Sequence, residues 1–413
     1  MQAHRYRLPL ALVAAAGAAA VATLLLRPQD GLIEAAAVDP TAYFSAAELE
    51  RARDFSGPQR MVGLAGLGLS AATLALLALR PPRLMREALE RASERPLLGA
   101  SAVGAGLSLA LAVVGLPLAA VAHERAVDFG LSTQSWPAWL SDSGKATAIG
   151  ALFAGVGALL AVAVVRRFPR HWWAPASVGV VVIAVAVTTL APVTIDRVFN
   201  RFEPLPKGEL RSEVLDLARR SGVEVGEVYR IDASRRTTGA NAYVGGLGAT
   251  KRVVLYDNLI DEFPPEEIRS VVAHELAHVK NHDLSRGLLW LAIVAPGATL
   301  LVQRLGETLS RGRPAGTPAA LPALALSLGI VSFAVGAASN VLSRQVEARA
   351  DAYALELTSD PEAAIGQDRR LAVQNVSDPD PPAVWHALFG THPTTVERIG
   401  MAVATRRETR GGS

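Results

Sequence analysis

Cysteine is absent from this chain of 413 residues. Its absence rules out disulfides and thiolate metal ligands, so any transition-metal site must be built from histidines and carboxylates. Charge is scarce too. Only 19% of residues are Asp, Glu, Lys or Arg against 50% hydrophobic, and mean hydropathy is +0.28. That balance belongs to a membrane protein rather than a water-soluble domain. Nor is there a basic stripe. The formal net charge is +3, and the arginines are scattered or sit beside apolar runs, which argues against a nucleic-acid partner.

What the chain has in quantity is uninterrupted apolar sequence. A bilayer-spanning helix needs about 20 such residues. Runs of that order occupy 8–26, 62–79, 97–122, 146–165 and 174–193, and two more, 288–302 and 321–342, follow a polar region. The expected architecture is a mainly helical membrane protein of about seven spans, capped by a polar domain. Residues 1–193 would hold five spans, 194–286 the polar domain and 287–342 two further spans, while 343–413 would return to complete the domain. The first run has a rival reading as a secretory signal, because His4, Arg5 and Arg7 precede it and the alanines at 35–37 could supply a cleavage site. Those alanines lie well beyond the apolar run, which favours a span.

Charge does not settle orientation. Arg80, Arg83, Arg86, Arg91 and Arg95, with Arg166, Arg167 and Arg170, favour a cytoplasmic N-terminus by the positive-inside rule. The flanks of the polar domain, Arg197, Arg201, Lys207, Lys280, Arg286, Arg344 and Arg349, argue for the opposite orientation.

The polar region reads as an α+β unit. Pro206 and Glu209 open a helix that reaches about Ser221 and stops at Gly222. The runs 228–231, 241–244 and 252–256 have strand composition, with Gly245, Gly246 and Gly248 marking turns. Pro264 and Pro265, followed by Glu266 and Glu267, start a second helix with acids in its positive first turn.

That helix carries His274-Glu275-Leu-Ala-His278. Residues four apart share a helix face, so both imidazoles can reach one ion while Glu275 reaches a water beside it. A catalytic zinc takes three protein ligands and keeps a fourth position open. Glu347 and Asp351, four apart after the last span, are the candidates for the third ligand: Glu347 for the metal, and Asp351 for a hydrogen bond that orients a ligand histidine. Spacing alone leaves both open to a plainer reading, as solvated acids paired with Arg344, Arg349 or each other. The chemistry implied is peptide hydrolysis with Glu275 as general base, one zinc ion per chain and a peptide substrate. Asp351 has an alternative role as proton donor.

With these motifs the chain resembles the CAAX prenyl protease type I family, membrane zinc peptidases related to the HtpX-type enzymes. The resemblance also rests on GLSTQS at 130–135, FEPLP at 202–206 with residues 208–210, Asn241-Ala242-Tyr243, Thr391-His392-Pro393 and Glu397-Arg398-Ile399. It implies a barrel-like chamber of seven helices closed by the zinc domain, with that domain on the cytoplasmic side of the cell membrane. It also implies that Asn241 and Ala242 lie on an edge strand that binds substrate backbone, and that His392 and Arg398 contact substrate and stabilise the oxyanion. The plainer alternatives are an ordinary half-buried strand and a helix start with Pro393 at its first position. His282 and His386 are expected to be structural.

Two substrate readings fit the resemblance: processing of prenylated proteins, and quality control of misfolded membrane proteins. From another class comes a non-catalytic zinc-bearing scaffold or receptor, against which the intact Glu275 argues, since a structural zinc needs no general base. An intramembrane protease would place the His-Glu-x-x-His pattern inside an apolar run, whereas Lys280, His282 and Asp283 follow it here.

Overall fold

The computed structural model describes residues 7–246 and 251–411; His4, Arg5 and Gly248 lie outside them. Each of the seven apolar runs falls within a helix long enough to cross a bilayer. The first six helices are α1 (Arg7–Leu26), α2 (Ala46–Leu79), the short α3 (Arg83–Ala92), α4 (Pro96–Asp128), α5 (Trp136–Arg167) and α6 (Trp173–Thr194). Most outrun their apolar cores. A capping box between Ser45 and Glu48 opens α2 well before its span. Those early turns are bonded to the C-terminal part of the chain, through Glu48 to Arg369 at 2.7 Å and Arg60 to Asp378 at 2.8 Å.

After α6 the chain builds the polar domain: α7 (Asp196–Phe199), β1 (Phe202–Pro204), α8 (Glu209–Arg220), β2 (Glu227–Ile231), β3 (Ala242–Gly245), β4 (Arg252–Tyr256), α9 (Asp257–Glu262) and α10 (Pro265–Lys280). Gly222 ends α8 with a positive φ of 71°, a conformation that costs glycine little. The sheet order is β1-β2-β4-β3, with β2 and β4 parallel and both outer pairs antiparallel. Strand composition does not single out β1, because its three residues include Pro204. It is held on the edge by register with β2, where a missing N–H is tolerated. Under the sheet, Val228, Val253 and Leu255 pack on Val272 and Leu276 of α10, all fully buried.

Two long helices return to the membrane, α11 (Asp283–Leu309) and α12 (Leu321–Thr358), and α13 (Pro361–Gln374), α14 (Ala383–Phe389) and α15 (Thr395–Gly411) complete the chain. The apolar run 288–302 has only 15 residues, but its helix is 27 residues long. The polar residues that end the run satisfy one another inside the helix, Gln303 and Arg304 both bonding Glu307, so no break follows. α12 runs without interruption from the membrane into the polar domain, carrying Glu347 and Asp351 on the continuation of a span.

The membrane helices pack in a circuit, α2 on α4, α4 on α5, α6 on α11, α11 on α12 and α12 back on α2, with α1 against α11 and α12. Between α4 and α5 the approach is close because Gly104 faces Ala154 and Ala158, where a Cβ would come within 2.5 Å. By contrast α5 and α6 barely touch. In the most apolar stretches of α4 and α6 only 6% of residues are buried within the protein. Helices packed in a solid bundle would bury far more. This pattern fits a hollow ring, with lipid outside and a chamber within.

Candidate metal centre

α10 starts at Pro265, whose missing N–H is one that a first helical turn leaves unpaired in any case. Its apolar side, Ile268, Val271, Val272 and Leu276, is pressed onto the sheet. That burial fixes the helix rotation and turns His274 and His278 towards α12. Their rings meet edge to face, with centroids 4.9 Å apart. α12 can come close because it presents Ala350 and Ala354, both buried, to its neighbours.

Three ligand atoms converge. His274 Nε2 lies 3.3 Å from His278 Nε2 and 3.1 Å from Glu347 Oε2, and His278 Nε2 lies 3.5 Å from the same oxygen. Bonds of about 2.0–2.2 Å from tetrahedral zinc put neighbouring ligand atoms about 3.4 Å apart. The three observed separations therefore match the edges of one tetrahedral face, and the donor set of two imidazoles and a carboxylate suits zinc with one position left open.

Each imidazole is held from behind. His274 Nδ1 donates to Asp351 at 2.8 Å and His278 Nδ1 donates to Asp283 at 3.0 Å, which leaves both Nε2 atoms available to a metal ion. Sequence reasoning assigned Asp351 to this duty and missed Asp283. Asp283 opens a new helix after His282, which bends the chain with a positive φ of 56°, so its return to His278 depends on that turn. Arg349, a possible partner for Glu347 or Asp351 by spacing, instead binds Asp283. Arg344 instead donates to the carbonyls of His386 and Gly390, at 3.3 and 2.8 Å.

Burial opposes protonation of His274, but the adjacent Asp351 and Glu347 carboxylates outweigh it and lift the ring to about 10 in the metal-free protein. His278 is likewise opposed by burial and raised to about 9 by Asp283 and Glu347. Burial pushes the Glu275 carboxyl above its usual value, with the neighbouring imidazoles pulling the other way.

His392 and Arg398 both reach the site, in different ways. His392 Nε2 lies 3.3 Å from Glu347 Oε2 with 54% of the side chain exposed, on the open side of the cluster. His386 supports it by donating to the His392 carbonyl at 2.8 Å. Thr394 and Glu397 form a reciprocal cap at the start of α15, so Pro393 precedes the helix rather than beginning it. Arg398, in the first turn, grips both Asp351 oxygens at 2.7 and 3.0 Å and Asp368 at 3.0 Å. Its donors are thus directed at the residue behind His274. Asp368, unremarkable in sequence, is buried there, and burial raises its pKa while Arg398 opposes the rise. Asn241 and Ala242 stand at the start of β3, which packs beside α10 and pairs only with β4 among the described residues, leaving its other edge free.

The chain is similar to known proteins. Residues 204–406 match peptidase family M48, and residues 43–201 match the family described as CAAX prenyl protease N-terminal, five membrane helices. A Bacillus subtilis protein described as an uncharacterized metalloprotease is 30% identical over 371 residues, 87% of each chain. CAAX prenyl protease 1 of Saccharomyces cerevisiae is 27% identical over 71% of this chain and 69% of its own. The crystal structure of Ste24p from S. mikatae superposes with a TM-score of 0.72 at 20% identity, covering 97% of this chain and 98% of that one, and shares the fold.

Proposed function

The chain belongs to peptidase family M48 and is a multi-pass membrane metalloprotease of the CAAX prenyl protease type, and on that premise we propose that His274, His278 and Glu347 hold one zinc ion per chain while Glu275 serves as general base. The spacing of the three ligand atoms as one face of a tetrahedron carries this reading. Zinc bound there supplies the Lewis acidity that makes water a nucleophile near neutral pH.

The remaining work falls to side chains. Glu275 takes the proton of the attacking water and returns it to the leaving amine. Its desolvated carboxylate is a stronger base than one in water. The free edge of β3, from Asn241 and Ala242, binds substrate backbone by strand addition, which reads main chain more than side chains. His392, on the open side, donates a hydrogen bond to the carbonyl oxygen as charge develops. Asp351 accepts from His274 and from Arg398 and so stays anionic as an orienting group rather than a proton donor. Arg398 acts through Asp351.

We place the zinc domain on the cytoplasmic side of the cell membrane, a reading supported by Arg197, Arg201, Lys207 and Arg286 around it. For the substrate we propose a peptide near the membrane surface, prenylated proteins being the first candidates. Backbone recognition also suits unprenylated, unfolded chains. A farnesylated peptide, its unprenylated twin and unfolded casein separate the two, and equal cleavage of all three would remove the prenyl-specific role. The site itself is tested by zinc content and peptide cleavage, side by side, for the purified protein and its Glu275→Gln and Glu347→Ala variants. One zinc per chain in the first two, cleavage by the parent alone and loss of both in the third is the expected pattern. Metal and activity retained in Glu347→Ala would overturn the assignment.

A further inference from the structure

Where α5 and α6 barely touch, a cleft of about 330 Å³ opens between the first turns of α5 and the junction of α6 with α7. Lys145, Arg197, Arg201, Arg235 and Arg236 line it, with Asp142 as the one carboxylate. Asp142 is already engaged, by Arg236 at 2.8 Å and Lys145 at 3.0 Å. Arg235 is held by the Phe199 carbonyl at 2.8 Å and by Asp232 at 3.5 Å. Arg197 and Arg201, both exposed, have no side-chain partner among the described residues. Cations gathered around one spent carboxylate repel one another and create a positive potential that favours an anion.

The depth of the cleft in the bilayer identifies the anion. Lys145 immediately precedes the apolar run 146–165 of α5, and Arg197 comes three residues after α6 ends at Thr194. The start of α5 is tied to the zinc domain through Asp142 and Arg236. Both helices therefore leave the membrane here on the catalytic side. Trp136 and Trp139, with ring centroids 5.4 Å apart, stand in the first turn of α5, where tryptophans favour the headgroup layer. Beside the cations, exposed Val198 offers an apolar surface. A cationic cup level with the headgroups and bordered by apolar surface suits a phosphate carrying acyl chains better than a free ion.

We propose that this cleft binds the phosphate headgroup of an anionic phospholipid, bridging the weakest seam of the helical ring. It shares no residue with the metal centre. The test uses the full-length protein in nanodiscs of phosphatidylcholine with a minor share of phosphatidylglycerol, and native mass spectrometry reads the lipids retained. The parent should keep phosphatidylglycerol in preference to phosphatidylcholine. The double variant Arg197→Glu with Arg201→Glu should lose that preference by about tenfold or more, with zinc content and peptide cleavage unchanged. Should the reversed charges disturb folding, seen as loss of zinc, Arg197→Gln with Arg201→Gln is read in their place. Undiminished preference in a folded variant overturns the proposal. Displacement of the lipid by millimolar inorganic phosphate overturns the lipid assignment in favour of a soluble phosphate ligand.

Discussion

Replacing Asp351 by Asn tests whether the carboxylate behind His274 acts through the metal or on the substrate. The change keeps the shape and one acceptor but removes the charge that His274 Nδ1 meets at 2.8 Å and Arg398 at 2.7 Å. Both side chains of the His274–Asp351 pair are 9% exposed, so solvent screens little of the loss. Loss of such an outer carboxylate weakens metal binding about 10- to 100-fold, or about 1.4–2.7 kcal/mol. Removing one member of a buried ion pair also costs about 3–5 kcal/mol of stability. Asp368, 3.0 Å from Arg398, remains to neutralise the guanidinium, so the lower end, about 3 kcal/mol, is expected. The assay is peptide cleavage across a chelator-buffered zinc series, with a thermal melt on the same samples. Half-activation should move to higher zinc by one to two decades, as the loss in affinity requires, with kcat largely restored at saturation. A kcat that stays collapsed with zinc fully bound would refute the positioning role and make Asp351 a direct proton donor.

Zinc affinity should rise steeply with pH. His274 and His278 titrate at about 10 and 9 without metal, so near pH 8 metal must displace protons from them. Their Nε2 atoms are only 3.3 Å apart, and mutual repulsion keeps the release between one and two protons. Between pH 7.5 and 8.5 affinity should thus climb about 10- to 100-fold per unit; a flat profile, as for histidines titrating at 6.5, would contradict it. In the metal-free protein the same ion pairs stabilise fully below about pH 6.5, and that stabilisation disappears as pH rises through about 9 to 10. Glu275→Gln should keep zinc and lose cleavage by about 10²- to 10⁴-fold, and full activity in that variant would remove Glu275 as the base. Thr394→Ala removes the cap of α15 and should lower stability by about 1 kcal/mol, with no loss on thermal melting counting against that cap.

Several features were legible in the chain because they are written in local pattern. Apolar runs report membrane helices by length alone, and Pro265 with Glu266 and Glu267 marks the start of α10 from one turn of sequence. The four-residue step between His274 and His278 sets their common face before any packing is known. The proposed substrate-binding positions Asn241 and Ala242 and the pair His392 and Arg398 were accessible only through resemblance, since nothing in their own spacing points to a metal.

The rest was decided where distant segments meet. Glu347 meets the two histidines because α12 continues past the membrane and packs on α10 through alanines, and its spacing to Asp351 alone could not separate a candidate ligand from a solvated acid. Asp283 reaches back to His278 only through the left-handed turn at His282, and Asp368 meets Arg398 only when α13 and α15 come together. Arg398 was expected near the oxyanion, but Asp351 and Asp368 draw its donors behind the ligand shell. Periodicity and caps act within a few residues and so determine helices, strands and faces, whereas the partners of a charged side chain depend on which other charges the folded chain buries beside it.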